Sequence, residues 1–209
     1  MKFGRVPTTF NNRMGSLARF HDSREEMGFV AAEVGFESDH IEPGVSCFAG
    51  GFNDRRTANP NLSFTTFSCV GNTATILSGK AKGKKGVVTG HHGGVEHVLI
   101  DFDDRTVRDL IYDDKIMIDG LGQGLKLLDY PDVGVTALDP RLLEKMGLKA
   151  GSKGTLKVPV AAVVQAELMG SGLGHNDSFK GDYDIQITGP EVKEKYRLEK
   201  LRFGDLVAI

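Results

Sequence analysis

The chain has 209 residues, of which 40% are hydrophobic and 26% are charged, and its formal net charge is −2. This length can bury a substantial core, and the composition excludes an intrinsically disordered chain. A net charge this close to zero argues against binding nucleic acid through an overall positive field. Two cysteines without a Cys-x-x-Cys pair predict neither a disulfide framework nor a zinc knuckle. They indicate a reducing compartment and hence a cytoplasmic location.

The first 60 residues are predicted to be an irregular N-terminal region. The start, Met1 to Pro7, lacks the apolar stretch of a signal peptide. Ser23 and Glu26 have the spacing of a capping box and predict a short helix. Residues 53–61 have the Asn, Asp and Pro content of a loop.

Predicted strands become dense between residues 61 and 118. The chain contains 27 glycines, which favour tight turns over long helices. Turn residues separate five short strands, which are predicted at 64–70, 73–77, 85–90, 96–102 and 115–118. Five strands of this length are typical of a small barrel, so this segment predicts one.

Residues 119–209 are predicted to form a second β-rich unit. From Leu156 to Leu168 every even position is apolar, and this period of two predicts one long strand with a buried face. Pro159 would lie at an edge or a bulge of that strand, and the charged residues of the segment exclude a membrane span. The last residues, 201–209, also predict a strand. We therefore expect this domain to be truncated at its C-terminal end.

Two short helices are predicted within this second unit. Asp139 is a favourable N-cap, Pro140 suits the first turn, and Gly147 ends the helix. Pro190 begins the second helix, which extends to about Tyr196.

Residues 79–102 resemble a known motif. A run of Gly and Lys at 79–86 leads into an apolar pair, a turn at 91–94 and a second strand at 96–102. This pattern is similar to the KOW motif of SH3-like barrels in ribosomal proteins and transcription elongation factors. The resemblance implies an SH3-like barrel over residues 61–118. It also implies phosphate contacts through Lys80, Lys82, Lys84 and Lys85.

Several further segments together resemble one family. They are His-Ile-Glu-Pro-Gly-Val-Ser at 40–46, the turn and strand at 90–102, the segment 122–129, Gly-Ser-Gly-Leu-Gly at 170–174 and Gly-Asp-Tyr-Asp at 181–184. The family is the bacterial and archaeal domain-of-unknown-function family numbered 4438, and the resemblance covers roughly residues 38–209. It implies a mainly β protein without an established activity.

The lysine-rich run is a weak nucleic-acid site despite the motif. Glu96, Asp101, Asp103 and Asp104 follow it and offset its charge. Between Lys80 and Val98 there is no aromatic side chain on which a base could stack. We therefore expect that nucleic acid is not a partner, and we keep a nucleic-acid-binding module as an alternative.

Three histidines mark the turn that follows. His91 and His92 are adjacent, so they project in different directions and make a poor chelate. His97 begins the next strand and is a candidate for acid–base chemistry. The alternative for His97 is a half-buried structural histidine.

The loop 170–184 carries the strongest candidate site, because it is polar, rich in glycine and placed between two predicted strands. Imidazole and carboxylate groups suit a divalent ion, here Mn, Mg or Zn, that activates water. The predicted metal ligands are His40, Glu42, His175, Asp177, Asp182 and Asp184. The alternative for this loop is a solvated segment with Asx-turns.

The sequence thus predicts a mainly β fold, with an SH3-like small barrel and a second β-rich unit with two short helices. The predicted function is a small-molecule or divalent-metal-binding protein that performs metal-assisted hydrolysis or acid–base chemistry. His97, His175 and Asp177 are its predicted catalytic residues. The second alternative is a structural or assembly protein without catalysis. The expected partner is a small-molecule ligand. We expect no association with a membrane, and the sequence leaves open whether the protein forms a homo-oligomer.

Overall fold

The structure is a computed structural model that describes residues 4–5, 12–19, 45–49, 59–92, 97–112, 114–168, 185, 190–202 and 204–209. In chain order its strands are β1 (Gly4–Arg5), β2 (Asn12–Arg19), β3 (Val45–Phe48), β4 (Thr73–Ile76), β5 (Lys85–His92), β6 (His97–Asp101), β7 (Lys115–Asp119), β8 (Leu125–Lys126), β9 (Lys149–Ala150), β10 (Leu156–Lys157), β11 (Ala162–Val163) and β12 (Val207–Ala208). The α-helices are α1 (Asn59–Phe67), α2 (Asp104–Asp109), α3 (Pro140–Lys145) and α4 (Pro190–Tyr196). The mainly β prediction is confirmed.

An antiparallel barrel dominates the fold. Strands β3, β6, β5, β4 and β7 form a curled sheet, and β2 closes it by pairing with both edge strands, β3 and β7. Val88 lies opposite Ile100, and Ala74 lies opposite Ile118, in adjacent strand pairs. These four side chains are fully buried in one apolar cluster. Burial of this one face therefore fixes the register of the barrel.

The barrel takes strands from outside residues 61–118. Both β2 and β3 precede residue 61, in the region that the sequence predicts to be irregular. The predicted strands at 73–77, 85–90, 96–102 and 115–118 are confirmed within one or two residues at each end. The domain boundaries at residues 60 and 118 and the SH3-like classification stay predictions.

The predicted strand at 64–70 is wrong, because helix α1 occupies most of that segment. Its buried face consists of Asn61, Phe64 and Thr65, and the buried Ser68 follows directly after the helix with the same spacing. Three of these residues are polar, so the hydrophobic pattern does not reveal the helix. The Thr65 hydroxyl donates to the Asn61 carbonyl at 3.0 Å, and the Ser68 hydroxyl donates to the Phe64 carbonyl. These bonds satisfy the buried hydroxyl groups locally.

The predicted long strand at 156–168 is also wrong. Its first part, β10, pairs with β9, whereas β11 pairs in parallel with β12, and Ala166–Leu168 form a 3₁₀ helix. Val158 and Val160 are 46% and 39% exposed, although the pattern predicts that both are buried. Pro159 lies between them and cannot donate a hydrogen bond to a ladder, which explains the break.

Both helices predicted in the second unit are confirmed. Asp139 caps α3 by accepting a hydrogen bond from the Arg141 backbone N–H at 2.7 Å, and Pro140 occupies the first turn. Helix α4 spans Pro190–Tyr196 as predicted. None of the described helices is long and apolar enough to cross a membrane.

A buried polar cluster joins the barrel to the segment before α3. The Asn72 amide group donates to the Asp139 carboxylate at 2.9 Å and to the Leu121 carbonyl at 2.8 Å. The Asn72 side-chain oxygen accepts from the backbone N–H of Cys69 at 2.9 Å. Asn72 and Asp139 are both fully buried. Arg141 contacts the same carboxylate from the partly exposed side. These bonds hold α3 against the barrel.

Candidate ligand-binding groove

A groove of about 640 Å³ lies beside barrel strand β5. One wall is β5 itself, with Val87 and Thr89, and a second wall is α3, with Leu142. Residues 159–161 and 204–206 complete the lining. This volume is within the range of small-molecule sites, and most of the lining side chains are apolar, as in such sites.

Backbone hydrogen bonds hold the two main walls in place. The Val70 N–H donates to the Ala137 carbonyl at 2.7 Å, and the Asp139 N–H donates to the Val70 carbonyl at 2.8 Å. On the other side, the Gly71 N–H donates to the Val88 carbonyl at 2.8 Å. Residues 70–72 therefore connect β5 directly to the segment before α3.

Gly71 lets these walls approach closely. Its φ is +94°, a conformation that other residues rarely adopt. A Cβ atom built there would lie 2.8 Å from Leu142 Cβ and 3.0 Å from Asp139 Cβ. A larger residue at position 71 would therefore push α3 away from the barrel.

The third wall consists of two segments that are distant in sequence. The Ala161 N–H donates to the Leu206 carbonyl at 2.7 Å, which ties residues 159–161 to residues 204–206. This wall also packs against the end of α3, where the ideal Cβ position of Gly147 lies 3.6 Å from Pro159 Cγ. Backbone hydrogen bonds thus join the first two walls to each other and the two segments of the third wall to each other.

Two charged side chains line this otherwise largely apolar groove. Lys145 is in the last turn of α3, and Asp205 is in the turn before β12. Both residues are exposed to solvent. The groove lining therefore includes one residue with an ammonium group and one with a carboxylate.

The predicted nucleic-acid lysines lie elsewhere, in the turn before β5 and at the first residue of β5. Lys80, Lys82, Lys84 and Lys85 are all exposed. Lys80 forms an ion pair with Asp109 at the end of α2. The pKa of Asp103 is lowered, chiefly by hydrogen bonds from Thr106 and further by the charge of Lys84. Of the acidic residues expected to offset the lysine charges, Asp103 therefore lies close to Lys84, whereas the partner of Lys80 is Asp109, which the sequence did not indicate.

We expect that this lysine-rich turn confers no tight binding to RNA or DNA, because neighbouring carboxylates offset part of its charge. A salt-titrated mobility-shift assay should show no micromolar complex at physiological salt. Such a complex, if it were lost in the double variant Lys82→Ala with Lys84→Ala, would contradict this prediction.

His97 is buried at the start of β6 and does not line the groove. Its ring stacks on Phe48 with 5.8 Å between the ring centroids. This position agrees with the structural alternative for His97 rather than with an exposed acid–base group. Its catalytic role stays a prediction.

His91 is a buried residue whose importance the sequence did not reveal. The residue is 9% exposed, and its ring forms a hydrogen bond with the backbone of Ser68. Its Nε2 atom is buried and has no hydrogen-bond partner in the described part of the chain. Burial lowers the pKa of His91 to about 4, although the bond to Ser68 acts in the opposite direction. His91 is therefore neutral at physiological pH.

The predicted metal ligands lie outside the described residues. These are His40, Glu42, His175, Asp177, Asp182 and Asp184. Within the described ranges, no group of three or more His, Cys, Asp or Glu residues is placed to hold a metal ion. The metal site and the catalytic roles of His175 and Asp177 stay predictions, which elemental analysis of the purified protein would test.

The groove itself was not predicted from the sequence. Its lining combines a barrel strand, a helix and two segments more than 40 residues apart, namely 159–161 and 204–206. The sequence predicts two of the elements that line it, namely the helix that begins at Asp139-Pro140 and the strand at 85–90. No sequence pattern indicates that these elements meet.

The fold and the groove define a mainly β protein in which a six-stranded barrel is joined to a smaller C-terminal unit. Residues 26–144 match the model of the N-terminal domain of the DUF4438 family, described as a domain of unknown function. Residues 145–209 match the C-terminal domain of the same family. The chain belongs to this family, and the resemblance to family 4438 found in the sequence is confirmed, whereas the KOW-like motif at residues 79–102 stays a prediction.

A solved structure supports the same fold. The protein described as "Crystal structure of TM1086" is 44% identical in sequence to this chain, with a TM-score of 0.71. The match covers 82% of this chain but 57% of TM1086, so this chain spans little more than half of that protein's length. The comparison with curated proteins finds no match.

The groove lies where the two family domains meet. Val87 and Leu142 belong to the N-terminal match, whereas Lys145, Pro159 and Leu206 belong to the C-terminal match. Small-molecule sites are common at such domain junctions.

Proposed function

We propose that this protein binds a small, largely apolar molecule in the groove between the barrel and its C-terminal unit. The observation that carries this proposal is the groove of about 640 Å³ with its mainly apolar lining. The backbone pairing of its walls supports a pre-formed site, which reduces the cost of ordering on binding.

The exposure of apolar side chains in the groove supports the same proposal. Val87 and Val160 line the groove and are 48% and 39% exposed. A ligand of matching shape would cover both side chains and gain the free energy of removing them from water. Clustered apolar exposure of this kind often marks a binding surface.

The proposal can be tested with Nile red, a neutral apolar dye whose fluorescence rises when it leaves water. We expect saturable binding of one dye per chain. Val160→Trp fills the groove from a side chain that is already partly exposed, so it should weaken binding about tenfold while the protein stays folded.

Ile111→Trp is the matched control. Ile111 is 65% exposed and does not line the groove, so this variant should bind the dye as the wild type does. The absence of saturable dye binding, or unchanged binding by Val160→Trp, would contradict the proposed site.

A further inference from the structure

We infer that the ligand of this groove is an apolar zwitterion, namely an amino acid or a short peptide with apolar side chains and free termini. The inference rests on the proposed function and specifies its ligand class. It is carried by the two opposite charges, Lys145 and Asp205, on an otherwise largely apolar lining.

Neither charge is neutralised within the described part of the chain. Lys145 and Asp205 form no ion pair there with each other or with any other residue. The ammonium and carboxylate groups are thus both available to a ligand. They come from separate elements of the groove lining, α3 and the segment 204–206.

The Asp205 carboxylate is held in position by its own turn. Its Oδ2 atom accepts a hydrogen bond from the Arg202 backbone N–H at 2.8 Å. This bond orients the carboxylate without neutralising its charge. A ligand ammonium group can therefore approach an ordered acceptor at this end of the groove.

A ligand with a single charge complements only half of this arrangement. A simple carboxylate would be attracted to Lys145 but repelled by Asp205, and a simple amine would be attracted to Asp205 but repelled by Lys145. A zwitterion places its carboxylate near Lys145 and its ammonium group near Asp205. Its apolar side chains then contact Val87, Leu142 and Val160.

A dipeptide carries both charges on a molecule that is small enough for the groove. Its termini can lie about 5–7 Å apart, because consecutive Cα atoms are separated by about 3.8 Å. Two leucine side chains also fit within a groove of about 640 Å³. Leucyl-leucine is therefore a suitable probe for this ligand class.

The experiment measures displacement of Nile red by three related compounds. They are leucyl-leucine, its N-acetyl derivative and its C-terminal amide, and each blocked form lacks one charge. The wild type should bind the free dipeptide about fivefold more tightly than either blocked form, as expected for partly solvated ion pairs.

Two variants assign each charge to one end of the peptide. Lys145→Met should bind the free dipeptide no more tightly than its C-terminal amide, but it should still prefer the free dipeptide to the N-acetyl derivative. Asp205→Asn should lose the preference over the N-acetyl derivative and keep the preference over the amide. The Asn side-chain oxygen can still accept the hydrogen bond from the Arg202 backbone N–H. The control is Lys149→Met, an exposed lysine outside the groove lining, which should keep both preferences.

The outcomes separate this inference from the proposed function. If Nile red binds but the dipeptide does not displace it, or if all three compounds bind equally, the zwitterion inference is overturned and the apolar site stands. Tighter binding of octanoate than of leucyl-leucine would also overturn it, because it would indicate a simple anion site. If Nile red itself does not bind, the proposed function fails first.

Discussion

Replacing Asp139 with Ala is expected to lower the free energy of unfolding by about 3 kcal/mol. The substitution removes the N-cap of α3, which contributes about 1 kcal/mol. It also leaves the buried Asn72 amide group without its carboxylate acceptor, which lowers the free energy of unfolding by about a further 1–3 kcal/mol. Urea denaturation near pH 7.5 measures this difference, and a loss below about 1 kcal/mol would show that the cluster is not a major tie between the barrel and α3.

Two other variants identify the source of this effect. Asp139→Asn keeps an oxygen that can cap the helix, so it should cost less than Asp139→Ala. Arg141→Met removes a guanidinium group whose side chain is 52% exposed, and we expect a loss of less than about 1 kcal/mol. A larger effect at Arg141 than at Asp139 would contradict a role for the buried side of the cluster.

The pH range of this contribution follows from the pKa of Asp139. Burial acts to raise that pKa, but hydrogen bonds from Arg141 and Asn72 outweigh burial, so the pKa is lowered. A carboxylate with a lowered pKa stabilises the folded state above its unfolded pKa of about 3.9. This contribution is lost only when the pH falls through the lower, folded value. Measurements near pH 7.5 therefore report the full effect.

The sequence predicts those elements that are specified by residues close together in the chain. The hairpin of β5 and β6 follows from two apolar segments around a glycine turn, and α3 follows from Asp139 and Pro140. Helix α1 is not predicted because Asn61, Thr65 and the adjacent Ser68 are buried but polar. The two hydroxyl groups bond to carbonyls one turn earlier, and the Asn61 side chain accepts from the Ala49 backbone N–H. Hydrophobic periodicity carries no information about such contacts.

The broken segment 156–168 illustrates the limit of an alternating pattern. Alternation specifies which side chains share a face, but it does not specify whether a partner strand exists along the whole segment. The two halves instead pair with β9 and with β12, and Pro159 lies between them. The groove was unpredictable for the same reason, since its lining depends on which distant segments pair.

His91 is expected to make the protein less stable as the pH falls from about 6.5 to about 4. Its ring is buried, and its pKa is lowered from an ordinary value of 6.5 to about 4. Between these two values the unfolded chain binds a proton that the folded protein does not bind. Stability is therefore complete above about pH 6.5 and decreases toward pH 4. The loss is about 3 kcal/mol, because each pKa unit corresponds to about 1.4 kcal/mol.

The His91→Gln variant isolates this effect from the titration of carboxylates. Gln does not titrate, and its amide group is able to keep a hydrogen bond with the Ser68 backbone. The free energy of unfolding, measured by urea denaturation from pH 8 to pH 4, should fall less steeply in the variant than in the wild type. The difference arises because protonation of His91 would place a charged N–H at the buried Nε2 atom, which has no acceptor among the described residues. Parallel curves for the two proteins across this range would show that His91 titrates normally and is accessible to water in the folded state.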